Sequence, residues 1–119
     1  MAIPSGSGTE VLKTHRVSAM SSTYVDLIPS PTANHIYTIL SIIFHNTHAS
    51  NDEVLYMRIT DADGSSNPHF IIENQALNAY ATFVWNDKIV VSGDIHLQGA
   101  TGNSADVDVT VSYIDQDHT

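Results

Sequence analysis

The residues of this chain that carry chemistry by type fall in a few short strings. The first is Ile59-Thr60-Asp61-Ala62-Asp63-Gly64-Ser65-Ser66. Two aspartates one residue apart, followed by Gly and Ser, open as a calcium loop does, because hard cations take oxygen ligands from alternating positions. A complete helix-flanked loop also needs Gly at its sixth position and a bidentate Glu at its twelfth. Counted from Asp61, those positions hold Ser66 and Ile72, and Glu73 falls one place late. Asp-Gly between two alternating runs is also a hairpin signal. The sequence therefore predicts a turn.

His45 and His48 stand three apart with Asp52 nearby, and these are zinc-ligand types. The same string, "HNTHASND", reads as a polar loop closing a strand, and no fourth ligand accompanies it. A threefold axis gathering copies of His35 or His69 would be another route to a metal. Serines are many, but no Gly-x-Ser-x-Gly elbow occurs. Carboxylates pair as Asp106/Asp108 and Asp115/Asp117. On a strand, i and i+2 share a face, so Asp106 and Asp108 are expected on a solvated outer face, where charge discourages edge-to-edge pairing. Trp85 and the five tyrosines can stack sugars, and at alternating positions they serve equally as core or interface residues. No catalytic, cofactor-binding or metal residue is assigned.

The elements that must position these groups are extended. Residues 106–114, "DVDVTVSYI", set Val107, Val109, Val111 and Tyr113 on one face and Asp106, Asp108, Thr110 and Ser112 on the other. Such alternation is the mark of a half-buried antiparallel strand. Residues 53–60 place Leu55, Met57 and Ile59 together, against Val54, Tyr56 and Arg58. Residues 35–45, "HIYTILSIIFH", are apolar on both faces, Ile36, Leu40, Ile42 and Phe44 against Tyr37, Ile39 and Ile43. That strand is expected to be central and covered twice, once by another subunit. Further strands are expected at 10–19, 22–28, 68–73, 77–85, 88–91 and 94–98. Turn chemistry marks Pro29-Ser30-Pro31, Asn51-Asp52, Asp63-Gly64, Asn86-Asp87, Ser92-Gly93-Asp94 and Gly102-Asn103. The expected fold is all-β: a single-domain antiparallel β-sandwich or jelly roll of about eight strands over residues 11–119. Residues 1–10, with Pro4, Gly6 and Gly8, read as an extended N-terminal arm.

Composition narrows the function classes. The chain has 119 residues, 4 Lys and Arg against 13 Asp and Glu, a formal charge of −9, and no cysteine. Disulfide and thiolate chemistry are absent. Binding to nucleic acid or an anionic membrane needs clustered cations, and only Lys13 and Arg16 are close in sequence. The opening "MAIPSGSGTE" lacks the basic and apolar regions of a secretory signal. The apolar run around Ser41 is far shorter than a membrane span.

Three stretches carry a resemblance. "SGSGTEVLK" (Ser5–Lys13), "HIYTILSIIFHNTHASNDEVLYMRITDADG" (His35–Gly64) and "WNDKIVVSGDIHLQGATGNSADVDVTVSYID" (Trp85–Asp115) resemble the strand and turn pattern of small tailed-bacteriophage virion structural proteins. These include a "TILSI" strand, a Gly-Asp segment after alternating apolar residues, and a terminal "VxVSYI"-like strand. "ENQALN" stands where such proteins usually carry a Pro-Gly turn before 77–85. The resemblance implies a non-enzymatic virion component, made in the host cytoplasm and carried in the virion. Its expected role is a capsid decoration (cement) protein that binds the phage major capsid protein or other virion proteins as a homo-oligomer, a trimer favoured. The alternative is a tail, neck or fibre-attachment protein. From another class comes a carbohydrate-binding module using Tyr37, Tyr56, Tyr80 or Trp85 with Asp61 and Asp63. The expected interaction residues are Ile3, Val11 and Leu12, from the arm and its continuation, and Tyr37, Ile39 and Ile43 on the doubly apolar strand.

Overall fold

The alternating segment near the C-terminus becomes the spine of one sheet. The computed structural model describes residues 9–31, 34–92, 95–103 and 105–118. In chain order the strands are β1 (Thr9–Met20), β2 (Val25–Asp26), β3 (His35–Asn46), β4 (Glu53–Thr60), β5 (His69–Leu77), β6 (Thr82–Trp85), β7 (Ile89–Ser92), β8 (His96–Thr101) and β9 (Val107–Asp117). No helix occurs among the described residues. The first sheet, here sheet A, has the order β1-β9-β3-β6, with β7 also on β3; sheet B has the order β2-β8-β4-β5. All pairings are antiparallel. The chain is one all-β domain of two antiparallel sheets.

Alternation explains β9 directly. Val107, Val109, Val111, Tyr113 and Asp115 are buried, while Asp108 is exposed and Thr110, Ser112 and Ile114 are half-buried. From β3 come Ile39, Ile42 and Phe44, from β4 Leu55 and Met57, from β8 Leu97, and from β7 Val91, all fully buried between the sheets. Each such aliphatic or aromatic side chain contributes about 1.5–3 kcal/mol on leaving water. Met20, Leu27 and Ile28, which flank β2, complete this core. The close approach there requires Gly99: a Cβ at that position would lie 2.9 Å from Met20 Sδ and 3.0 Å from Leu27 Cδ2.

The structure corrects the facing of β3. Tyr37 and Ile39 lie on the core side, at 7% and 0% exposure, and not on a surface facing a neighbour. Between Ile39 and Ser41 the pairing with β9 shifts register. Leu40 is the extra residue of a bulge, which reverses which parity points inward. Tyr37 and Ile39 therefore share the core face with Ile42 and Phe44, and Ile43 points out. A run apolar on both faces gives no pattern from which to place such a bulge.

Two other boundaries differ. Asn86-Asp87 does not reverse the chain: β6 pairs with Ile42–His45 and β7 with Ile36–Ile39, so the two run end to end along β3. Nine strands result, one for each extended segment named from the sequence, where the fold was expected to hold about eight. The segment around "ENQALN" is β5, which runs through to Leu77. It carries Asn74 at φ 55° and register shifts against β4, and the turn follows at Asn78–Ala81, where Ala81 N donates to Asn78 O at 2.8 Å. At the other end, β1 starts at Thr9, so the last two residues assigned to the arm are strand. The rest of the arm, with Ile3, lies outside the described residues.

Candidate interaction surface

The loop that opens like a calcium site, residues 61–68, connects β4 to β5 and folds over the outer side of sheet B. Asp63 spends its carboxylate within the loop. It accepts from Ser65 N at 2.9 Å, from Ser66 N at 2.7 Å and from the Ser66 hydroxyl. The Ser66 hydroxyl first, then these amides, hold its pKa down at about 2. Gly64, at φ 77°, makes the left-handed step, and its N donates to Asp61 O at 2.9 Å. No group of three or more His, Asp or Glu among the described residues is placed to hold a metal ion.

Sequence reasoning missed the clasp that holds this loop down. Alternation on β8 points Leu97 and Gly99 to the core and His96 and Gln98 outward. His96 Nδ1 lies 3.0 Å from Asp26 Oδ1, and its Nε2 lies 3.1 Å from Ala62 O. With an acceptor at each nitrogen, the ring satisfies both only as the imidazolium. The Asp26 hydrogen bond, above all, raises the His96 pKa, and burial opposes it. Gln98 donates through Nε2 to Gly64 O at 2.9 Å and accepts through Oε1 from Arg58 Nε at 2.9 Å. The Arg58 guanidinium in turn sits 3.7 Å over the Tyr24 ring, a cation–π contact. The sole hint in the sequence is polar residues at alternate positions of 94–98, which any solvated strand shows.

A second polar cluster lies on sheet A, where β1, β3 and β9 end together. Asp115 is 4% exposed. It accepts from Lys13 Nζ at 2.7 Å, and His35 Nδ1 is 2.7 Å from its other oxygen. Burial pushes the Asp115 pKa up, but the Lys13 and His35 hydrogen bonds together outweigh it and the net shift is downward. Tyr37 and Tyr113 pack beside it with ring centroids 5.0 Å apart and planes tilted by 53°.

The outward side of sheet A is different in kind. Leu12, Ile114, Thr38 and Val90 stand directly opposite one another across β1, β9, β3 and β7. Arg16, Thr110, Ile43 and Val84 do the same across β1, β9, β3 and β6. Between these rows run Thr14, Ser112 and Ser41. Leu12, Val90, Val84 and Ile43 are 75%, 55%, 45% and 38% exposed. No carboxylate stands in either row; Glu10 and Asp108 flank them on β1 and β9.

The remaining expected residues separate. Of the expected interaction residues, Leu12 and Ile43 belong to this outward face. Val11 is exposed on the side that Asp115 shares. His45 Nδ1 lies 3.0 Å from Thr82 Oγ1, His48 Nδ1 accepts from Ser50 N and Asn51 N at 3.0 and 2.9 Å, and Asp52 accepts from Ala79 N at 2.9 Å. These are local turn and ladder contacts. Asp106 corrects the solvated-pair expectation: it is 9% exposed, while Asp108 is exposed and accepts from Ala19 N at 2.9 Å. The stacking residues do not form one platform. Tyr37 is in the core, Trp85 packs at the core's edge, Tyr56 donates to Asn74 Oδ1 at 2.6 Å on sheet B, and Tyr80 stands exposed in the turn after β5. A scan with protein-family models matches none of them to this chain, and a search of curated proteins finds no similar sequence.

Proposed function

We propose that this chain is a non-enzymatic structural protein of a tailed-phage virion, a capsid decoration protein that binds the assembled shell as a homo-oligomer. The observation that carries the reading is the broad, carboxylate-free outward face of sheet A on a chain with a formal charge of −9. A face of hydroxyl and aliphatic side chains suits the contact between copies in a homo-oligomer. The strand wiring supports the jelly-roll form of the sandwich. With β6 and β7 counted as one interrupted strand, each sheet takes strands alternately from the two halves of the chain, as a pair of Greek keys does. Such a protein stabilises a shell by mass action, because it binds the assembled form and not the free subunits.

Co-sedimentation of the purified protein with intact particles, followed by copy counting, tests this. The expected result is occupancy at every capsomer position. A copy number fitting a single ring assigns the protein to the tail or neck, and no retention on particles defeats the virion reading. Removing residues 1–10 in the same assay tests the arm: undiminished occupancy takes it out of the mechanism.

A further inference from the structure

From the two outward faces we infer that this chain associates with a second copy of itself, face to face through sheet A, as a two-fold pair. The inference deepens the homo-oligomer of the proposed reading, and it replaces the threefold arrangement expected from the resemblance. Residues 61–66 of the same chain cover the β8 part of sheet B's outward side, pinned through His96 and Gln98, and leave Phe70 on β5 as the one large hydrophobic exposed there among the described residues. Sheet A has no such cover among the described residues, and it is the sheet whose outward side bears Leu12, Ile43, Val84 and Val90 in exposed positions. Those four sit in two rows that flank the hydroxyl line of Thr14, Ser112 and Ser41. A two-fold axis along that line lays each row on the other, setting Val90 over Val84, Thr38 over Ile43 and Leu12 over Arg16, whose aliphatic stem can lie along it, so the face can meet itself.

Charge selects a second copy over other occupants. The chain carries 13 carboxylates against 4 Lys and Arg. Two copies meeting through any acidic surface repel, whereas meeting through these rows keeps the carboxylates at the margins. A strongly basic or acidic partner would find nothing to pair with in the rows except Arg16. The dimensions are sufficient. Across β1, β9, β3 and the β6–β7 line the face is roughly 19 Å wide, and over Glu10–Ser18 it is roughly 30 Å long, at ordinary strand spacing and rise. Its flat area, on the order of 600 Å², approaches the ~800 Å² per partner of a standard interface. Sandwich sheets stack about 10 Å apart with aligned strands, and the same geometry serves between copies.

Sedimentation velocity of the full chain over a concentration series reaching about 0.2 mM reads the association directly. A monomer–dimer equilibrium is expected. Leu12→Glu and Val90→Glu, at the two most exposed aliphatic positions of the face, are each expected to weaken it about a hundredfold or more while the circular dichroism stays that of the parent. Tyr80→Glu, on an exposed turn elsewhere, is expected to leave it unchanged. Methyl NMR of the unmodified chain is a second readout: dilution shifts the Leu12, Ile43, Val84 and Val90 methyl signals and leaves those of Val54 in place. A monomer at every concentration, a trimer, dimers that survive both substitutions, or dilution shifts elsewhere each overturn the inference. No particle enters the experiment, so its failure and that of the virion reading are separate results.

Discussion

The outward faces of the two sheets are built from the same alternation and finished in opposite ways. Sheet B turns His96, Gln98, Arg58 and Asp26 outward, and the β4–β5 loop closes over them through backbone acceptors. Sheet A turns out Leu12, Ile43, Val84 and Val90 among Ser and Thr side chains. The first face satisfies its polar groups within the chain and leaves Phe70 as its one large exposed hydrophobic among the described residues. The second mixes hydroxyls and one Arg with four exposed aliphatic side chains, and it loses that exposed apolar area only when something else covers it. The difference teaches that binding capacity here is set by what the outward positions leave undone.

The largest expected effect ignores the comparison, and so calibrates it. Phe44 lies under both sheets at 0% exposure. Phe44→Ala is expected to destabilise the fold by about 3–5 kcal/mol in denaturant unfolding; a loss under 1 kcal/mol would mean that the two sheets do not share the core described.

An intermediate effect sharpens the sheet B side. Because the folded-state pKa of His96 is raised, its contribution is fully present below the unfolded value near 6.5 and is lost as pH rises through the folded value. Urea unfolding across that window should show a loss of about 1 kcal/mol, the usual net worth of a hydrogen bond. Asp26, Asp63 and Arg58 are the charges around the ring and its clasp. His96→Gln keeps a donor but does not titrate, so its stability profile should be flatter over the same pH range. An unchanged slope would dissociate His96 from the latch.

The smallest effect belongs to sheet A. Val90 is 55% exposed, and Val90→Thr should change monomer stability by no more than about 0.5 kcal/mol. Measured at high dilution, a larger loss would show that this face already has an internal role.

Legibility in the sequence tracked how polar each strand's outward side is. β9 and β4 were readable because charged or hydroxyl residues alternate with aliphatic ones, which fixes a parity. β3 was readable as a strand and unreadable in its facing, because aliphatic residues on both sides hide the Leu40 bulge, and so Tyr37 and Ile39 were expected on the wrong side. Asn86-Asp87 carried turn chemistry that serves a strand interruption equally well. The Asp61–Ser66 turn was legible from Asp-Gly alone. Its latch was not, since His96 and Gln98 lie more than thirty residues away, and nothing local distinguishes a side chain that holds a distant carbonyl from one that meets water. The same holds for Asp115, whose partners Lys13 and His35 come from two other strands.

The clasp grips the main chain of its loop, at the carbonyls of Ala62 and Gly64. Recognition by backbone is blind to side-chain identity. Provided that Gly64 keeps its left-handed turn and Asp63 its ring of donors, the outward side chains of Asp61, Ala62 and Ser65 are free to drift. The loop is thus a place where lineages can diverge in surface character, and be told apart by whatever inspects that surface, while the scaffold beneath stays the same.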